Sequence, residues 1–366
     1  MRNPTPPFIL RVAVLCLLQL APIAAAAAPL PRFTQPNSIW NTDVSTATLR
    51  SNSTAMMTHL GTAFNGPWGD TRNFDFQIDF GMYVLHANAS TPTWPIVAYP
   101  DEASYYTPDC DATGSPFPVP AVGGIEATDP PSLTFCDADN EDCHLLVVND
   151  TTKILYESYA TESADASGMQ SICGLKWDLA KVYPRYGRGE HCTSADGAGF
   201  PIAPLLFNAD EVWTAAQAHG DLGHAIRFIV GNNRMANDKY VHPASHGTLA
   251  TSDNNANAVP YGSRLKLKQL FNVNAFSSNE SVRVILRTLQ KYGMFLSDGG
   301  GIPLTAEADN FTTHKWADAN VNVDSHSLFG IKPTDFEVVE AGDPMTVTYD
   351  CVRTPDDFIY IDGYDY

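Results

Sequence analysis

With 41 acidic residues against 22 Lys and Arg, this 366-residue chain carries a formal charge of −19. Such a field repels nucleic acid and polyanionic glycans, and it leaves neutral sugars and small molecules unpenalised. No basic cluster offsets it, and no cofactor fingerprint is present, so no cofactor and no nucleic-acid partner are expected.

The chain opens with Arg2 and Arg11, an apolar run from Val12 to Ala25, and small residues from Ala24 to Ala28. That layout predicts a signal peptide over 1–28, leaving one secreted β-rich domain over 29–366. No later apolar run reaches the ~20 residues of a membrane span, so no membrane contact is expected after cleavage. Cys16 leaves with the leader, and Cys110, Cys136, Cys143, Cys173, Cys192 and Cys351 then read as three disulfides in an oxidising compartment. Fifteen pairings are open. The shortest loops suggest Cys136–Cys143 and Cys173–Cys192, with Cys110–Cys351 left to tie the last strand to the first third. No closely spaced cysteine ligand pairs suggest zinc. Five sequons, at Asn52, Asn88, Asn149, Asn279 and Asn310, offer glycan acceptors in a eukaryotic secretory pathway.

Short apolar runs bounded by Gly, Pro and Asp dominate the pattern, which predicts a mostly β domain, a β-sandwich or jelly roll with one or two short helices. Strands are expected at Phe74–Leu85, Trp94–Tyr99, His144–Val148, Ile154–Ala160, Leu175–Leu179, Ala225–Val230, Arg264–Phe271 and Met294–Ser297. Phe336–Val339 and Met345–Tyr349 are expected to close the chain as a hairpin about Ala341-Gly342-Asp343. One helix stands out after Ser278 or Asn279, with Val282, Ile285, Leu286 and Leu289 on one face and Gly293 ending it. A weaker helix is expected over Asp210–Ala218. With no internal repeat or linker, one domain is favoured.

The best-defined local structure is the hairpin about Asp150-Thr-Thr-Lys153. Pairing Asn149 with Ile154 sets His144 opposite Tyr159 and Leu146 opposite Glu157. The two-residue alternation then places His144, Leu146, Glu157 and Tyr159 on one face, with Leu145, Val147 and Leu155 assigned to a core on the other. An imidazole, a carboxylate and a phenol within reach of one another suit acid–base chemistry. The alternative is a polar, solvated sheet face. Trp177-Asp178, on a neighbouring strand, pairs an indole that can stack on a pyranose with a second carboxylate. The turn Ser194-Ala-Asp196-Gly-Ala-Gly199 presents Asp196 and lacks the setting of a serine nucleophile elbow.

His224 opens a strand with Arg227 on its opposite face, and Tyr240 and His246 flank Val241-His-Pro-Ala-Ser245. Pro243 disfavours the helix that a His242/His246 metal pair requires, so no metal is assigned and His246 is given a hydrogen-bonding or acid–base role. Asp298 precedes Gly299-Gly-Gly301 at a strand end, and capping is preferred there over lining a cleft.

Asn37-Ser-Ile-Trp-Asn-Thr42, Asp142-x-His144 with Tyr156-Glu157, Gly199-Phe-Pro-Ile202, Gly223-His-Ala-Ile226, His242-Pro-Ala-Ser-His246 and Tyr292-Gly-Met…Asp298 recur in an order that resembles a group of secreted proteins of bacteria and some eukaryotes without an assigned activity. The resemblance spans nearly the whole mature chain and implies one exported domain and no particular reaction. Where that group carries Tyr-Pro-x-x-His, this chain has His242 in place of the tyrosine. The residues themselves suggest a carbohydrate substrate or ligand. The leading expectation is a glycoside hydrolase with Glu157 and Asp178 as the carboxylate pair, His144 tuning Glu157, and Trp177, His224, Arg227, Tyr240 and Asp196 binding substrate. The second is a polysaccharide lyase with His144 or His246 as base, Tyr159 as acid, and Arg227 or Arg264 neutralising a uronate. The third is a lectin-like or cell-surface protein without catalysis. Oligomeric state is not legible.

Overall fold

The computed structural model describes residues 29–62, 68, 76–99, 105–128, 133, 136–165 and 167–353. The leader expected at 1–28 and the start of the strand expected from Phe74 lie outside them. The described residues form a mostly β fold with several sheets, four short α-helices and three disulfides. The largest sheet has six strands in the spatial order Ile78–Met82, Leu304–Glu307, Ile226–Val230, Met294–Gly299, Arg264–Leu267 and Phe336–Val338. Ile226–Val230 and Met294–Gly299 are parallel neighbours near its centre, so both deliver their carboxyl ends to the same edge. The expected helix forms over Glu280–Lys291, with the Asn279 side chain accepting from the Ser281 N–H and Gly293 at φ +67° just beyond it. Its apolar face buries Val282, Ile285, Leu286 and Leu289, each contributing about 1.5–3 kcal/mol of burial. It packs on strand Arg264–Leu267 and on the helix Ala209–Gln217, the weaker of the two expected.

A four-stranded sheet runs Val84–Ala87, Leu145–Asn149, Ile154–Tyr159, Cys173–Asp178. The hairpin has the expected register, with Asn149 opposite Ile154 and Leu146 opposite Glu157. Both of its faces are covered. Leu146, Val148, Leu155, Leu175 and Trp177 join the main core, while Leu145 and Val147 pack into a second core with Ile96, Phe117 and Met169. That second core lies beneath a further sheet of Pro116–Pro118, Thr93–Ala98, Gly168–Ser171 and Ser163–Asp165. Leu155 therefore shares the face of Glu157, as the alternation requires, and not the opposite one.

Several expectations are corrected. Helices at Ser53–Thr62 and Val273–Phe276 join the two anticipated. A jelly roll is antiparallel throughout, whereas five strand pairings here are parallel. Phe336–Val338 and Met345–Thr346 do not close on each other; the first pairs with Arg264–Leu267 and the second with Met235–Tyr240. The disulfides are Cys110–Cys173, Cys136–Cys143 and Cys192–Cys351. Only the middle pair was anticipated. The Asp111 N–H donates to the Gly174 carbonyl and so lays Cys110 beside Cys173. Gly189–Glu190 pairs with Val352–Arg353 and brings Cys192 to Cys351. Strand pairing, not loop length, chose the partners. No described helix is long and apolar enough to cross a membrane.

Candidate functional site

A pocket of about 660 Å³ opens where the carboxyl ends of the two parallel central strands meet the hairpin and the segment around Cys110. Asp298 comes from the end of Met294–Gly299, Asn232 follows Ile226–Val230, and Asp142 and Tyr159 flank the hairpin. Asp109, Asp196 and His246 arrive on loops. Tyr105, Tyr106, Tyr261 and Tyr349 complete an aromatic lining with Tyr159.

Two carboxylates lie side by side at the floor. Asp298 accepts from the Gly197 N–H at 2.8 Å and from the Gly299 N–H at 2.8 Å, so it both caps the strand end and lines the cleft. Gly197 is needed there, because a Cβ would stand 2.6 Å from the Asp298 Oδ1. The residue before it, Asp196, is buried; its Oδ1 accepts from the Ala198 N–H and its Oδ2 from Arg227 Nη2 at 2.9 Å. Burial pushes the Asp196 carboxyl up to about 7 against the pull of Arg227, and Asp298 adds to the rise. Arg227 also donates to the hydroxyls of Ser297 and Thr305, so it braces the floor from behind and does not line the pocket.

His246 is the third polar group. Its Nδ1 lies 3.1 Å from the Gly197 carbonyl, which fixes the proton on that nitrogen and leaves Nε2 as an acceptor. The side chain is only 7% exposed and lines the pocket, and burial lowers its pKa, so the ring is neutral.

The other expected site residues lie elsewhere. His144 and Glu157 share one face in the anticipated register, but no hydrogen bond joins them. His144 is nearly enclosed, with Nδ1 2.5 Å from Glu126 Oε2 and Nε2 2.8 Å from the Ala195 carbonyl. Two acceptors on the two ring nitrogens require both to carry protons. Burial pulls this imidazole down, and Glu126 more than reverses it, up to about 9. His144 is a buried imidazolium paired with Glu126; it makes no hydrogen bond to Glu157, and its charge pulls that carboxyl down only as the smallest of several influences.

Glu157 has no exposed surface. Its Oε1 accepts from the N–H groups of Ile202 and Ala203 and its Oε2 from Trp177 Nε1. Burial pushes it up to about 7. It joins the hairpin sheet to the segment after Gly199 and cannot meet a substrate. Trp177 is core for the same reason, and Asp178, its strand neighbour, points to the other face and accepts from the Ala180 N–H in a turn. The expected Glu157/Asp178 pair with its Trp177 subsite is therefore absent.

His224 is buried, with Nδ1 on the Ala225 carbonyl and Nε2 accepting from Arg32 Nη2 at 2.8 Å. Burial and Arg32 together hold it neutral. The buried Tyr240 donates its hydroxyl to Glu190 at 2.6 Å, outside the pocket. Arg264 is spent on the carbonyls of Tyr292, Ile39 and Thr42. No Lys or Arg lines the pocket, so the cation that a uronate lyase needs is missing among the described residues. The Cys192 and Cys351 sulfurs and an Asp109 carboxylate oxygen lie within 4.8 Å of one another, but disulfide sulfurs offer no thiolate to a metal.

Of the expected residues, Tyr159, Asp196 and His246 are brought together; Asp109, Asp142, Asp298 and four tyrosines were missed as a set. No family model, curated protein or solved structure matches the chain.

Proposed function

We propose that this chain is an exported glycoside hydrolase whose reacting carboxylate is Asp298, seated over the buried Asp196–Arg227 pair. The observation that carries the reading is the seat of Asp298 in a tyrosine-walled pocket, half-buried and held by two backbone N–H groups, while the Asp196 side chain behind it is wholly buried on Arg227. In this reading Asp298 either takes a proton from the attacking water or bonds the anomeric carbon directly, and the glycosidic oxygen takes its proton from solvent as its bond to the anomeric carbon breaks. Tyrosine faces stack on the sugar rings, as they do on other apolar ring faces. Three disulfides fit passage through an oxidising compartment, which supports export.

The test is Asp298→Asn in the secreted protein, assayed against a panel of polysaccharides by reducing ends. We expect a modest fall in melting temperature, because the amide oxygen still accepts from Gly197 while the amide N–H₂ faces the Gly299 N–H, and a fall in kcat of at least ~100-fold. Near-wild-type turnover in Asp298→Asn would remove Asp298 from the mechanism. If no polysaccharide in the panel gives new reducing ends, the lectin-like reading takes over, and glycan-array binding would then be its own test.

A further inference from the structure

The hydrolase reading leaves most of the pocket's charge unexplained. Arg227 answers Asp196, and the His144 imidazolium answers Glu126. Asp109, Asp142 and Asp298 have no ion-pair partner among the described residues, and all three line the pocket. Asp109 accepts from the Thr193 N–H, while the exposed carboxylate of Asp142 has no hydrogen bond to protein. His246 adds a separate observation. It is a side chain more than nine-tenths buried, with one nitrogen on the Gly197 carbonyl and the other, an acceptor, left without a protein partner. Carboxylates and an unprotonated ring nitrogen can only accept hydrogen bonds, so these four groups ask for donors, beside tyrosine and threonine hydroxyls that can donate or accept.

A neutral sugar supplies hydroxyls that both donate and accept, and it leaves the pocket's excess negative charge unanswered, since Arg227 and His144 reach Asp298 and Asp142 only beyond their own partners. An N-acetylated sugar supplies one N–H and no charge. An ammonium supplies three donors and a positive charge, and tyrosine faces favour a cation through their ring quadrupoles. On the hydrolase reading above, we infer that the pocket takes a glycan with an unsubstituted amino group, a glucosamine-type residue whose ammonium is met by Asp109 and Asp142. Carboxylates on a ligand are repelled by the same charges. The strongly acidic surface of the whole chain concentrates such polycations around the protein.

The experiment is calorimetric binding of three tetrasaccharides of matched length, built from glucosamine, N-acetylglucosamine and glucose, to the Asp298→Asn protein near pH ~6. We expect the glucosamine tetramer to bind at least ~10-fold more tightly than either other, with the advantage shrinking several-fold between ~0.05 and ~0.5 M salt. Adding Asp142→Asn should cut that advantage at least ~3-fold; only the backbone carbonyl of this exposed residue is hydrogen-bonded, to the Ala160 N–H, and the substitution keeps it, so folding is not at stake. If the N-acetylated or glucose tetramer binds as tightly as the free amine, or if Asp142→Asn leaves the ratio unchanged, the amino-group inference is overturned while the hydrolase reading stands. If none of the three binds and the wild-type protein releases reducing ends from none, both fall together.

Discussion

Glu157 receives N–H donors from Ile202, Ala203 and Trp177, and each of them closes off a catalytic use. Glu157→Gln can keep an oxygen toward the two backbone donors, but its amide N–H₂ then faces the indole N–H, donor against donor. The expected cost is ~1–3 kcal/mol of stability, visible as a lower melting temperature, with kcat on an identified substrate unchanged to within about twofold. A large kcat loss at an unchanged melting temperature would restore Glu157 to the chemistry. Asp196 is as fully buried, and its partner is a charge. Asp196→Asn leaves the buried Arg227 uncompensated, so it should cost ~3–5 kcal/mol of stability, read as a lower melting temperature. An unchanged melting temperature would contradict this pairing. Sequence alone made Glu157 look better than Asp298, because the hairpin showed which side chains share a face and nothing showed what covers that face. Burial is a long-range property, and the segment that covers Glu157 lies 45 residues further along the chain.

The hairpin was legible because its information is local. A β-rich run, Asp-Thr-Thr-Lys and a second β-rich run fix the register through alternation and turn chemistry. The helix Glu280–Lys291 was legible for the same reason, since cap, apolar stripe and terminal Gly lie within one short window. Strands such as Met235–Tyr240 and Leu304–Glu307 were not, because their alternation is broken by charges or shortened to a few residues. The helix also bears on the sequons. Asn279 uses both ends of its amide: Oδ1 caps the Ser281 N–H, and Nδ2 donates to the carbonyls of Val321 and Asn322. Asn88 and Asn310 are exposed. Peptide mapping of protein from a eukaryotic host should find glycans at Asn88 and Asn310 and an unoccupied Asn279. Asn279→Ala should cost ~1–2 kcal/mol through the lost cap, and a glycan found on folded Asn279 would contradict this packing.

Across the molecule, the buried ionisable groups that are raised on folding pull stability in one direction above neutral pH. Burial raises Glu157, Asp196 and Glu307 to about 7 from reference values of 4.5, 3.8 and 4.5, and the Glu126 partnership lifts His144 from 6.5 to about 9. Groups raised on folding bind protons more tightly when folded. Their stabilisation is complete below the reference values and is lost as pH climbs through about 7 for the carboxyls and about 9 for His144. Glu126 is held low and acts in the other sense, below its usual range, and so do the buried His224 and His246 rings below their usual 6.5. The melting temperature should therefore rise from pH ~9 down to pH ~6.5; a maximum above pH ~8 in a thermal-shift series would contradict these assignments. The pocket was the least legible feature of the sequence, since its lining is drawn from segments scattered between Tyr105 and Tyr349. The Cys192–Cys351 bridge gathers the last of them. It closes a separation of 159 residues and sits two positions beyond Tyr349, beside Asp109. Neither of its cysteines belongs to the two apolar cores. Its loss would therefore release the chain end and the Tyr349 wall of the cleft before it disturbed the interior.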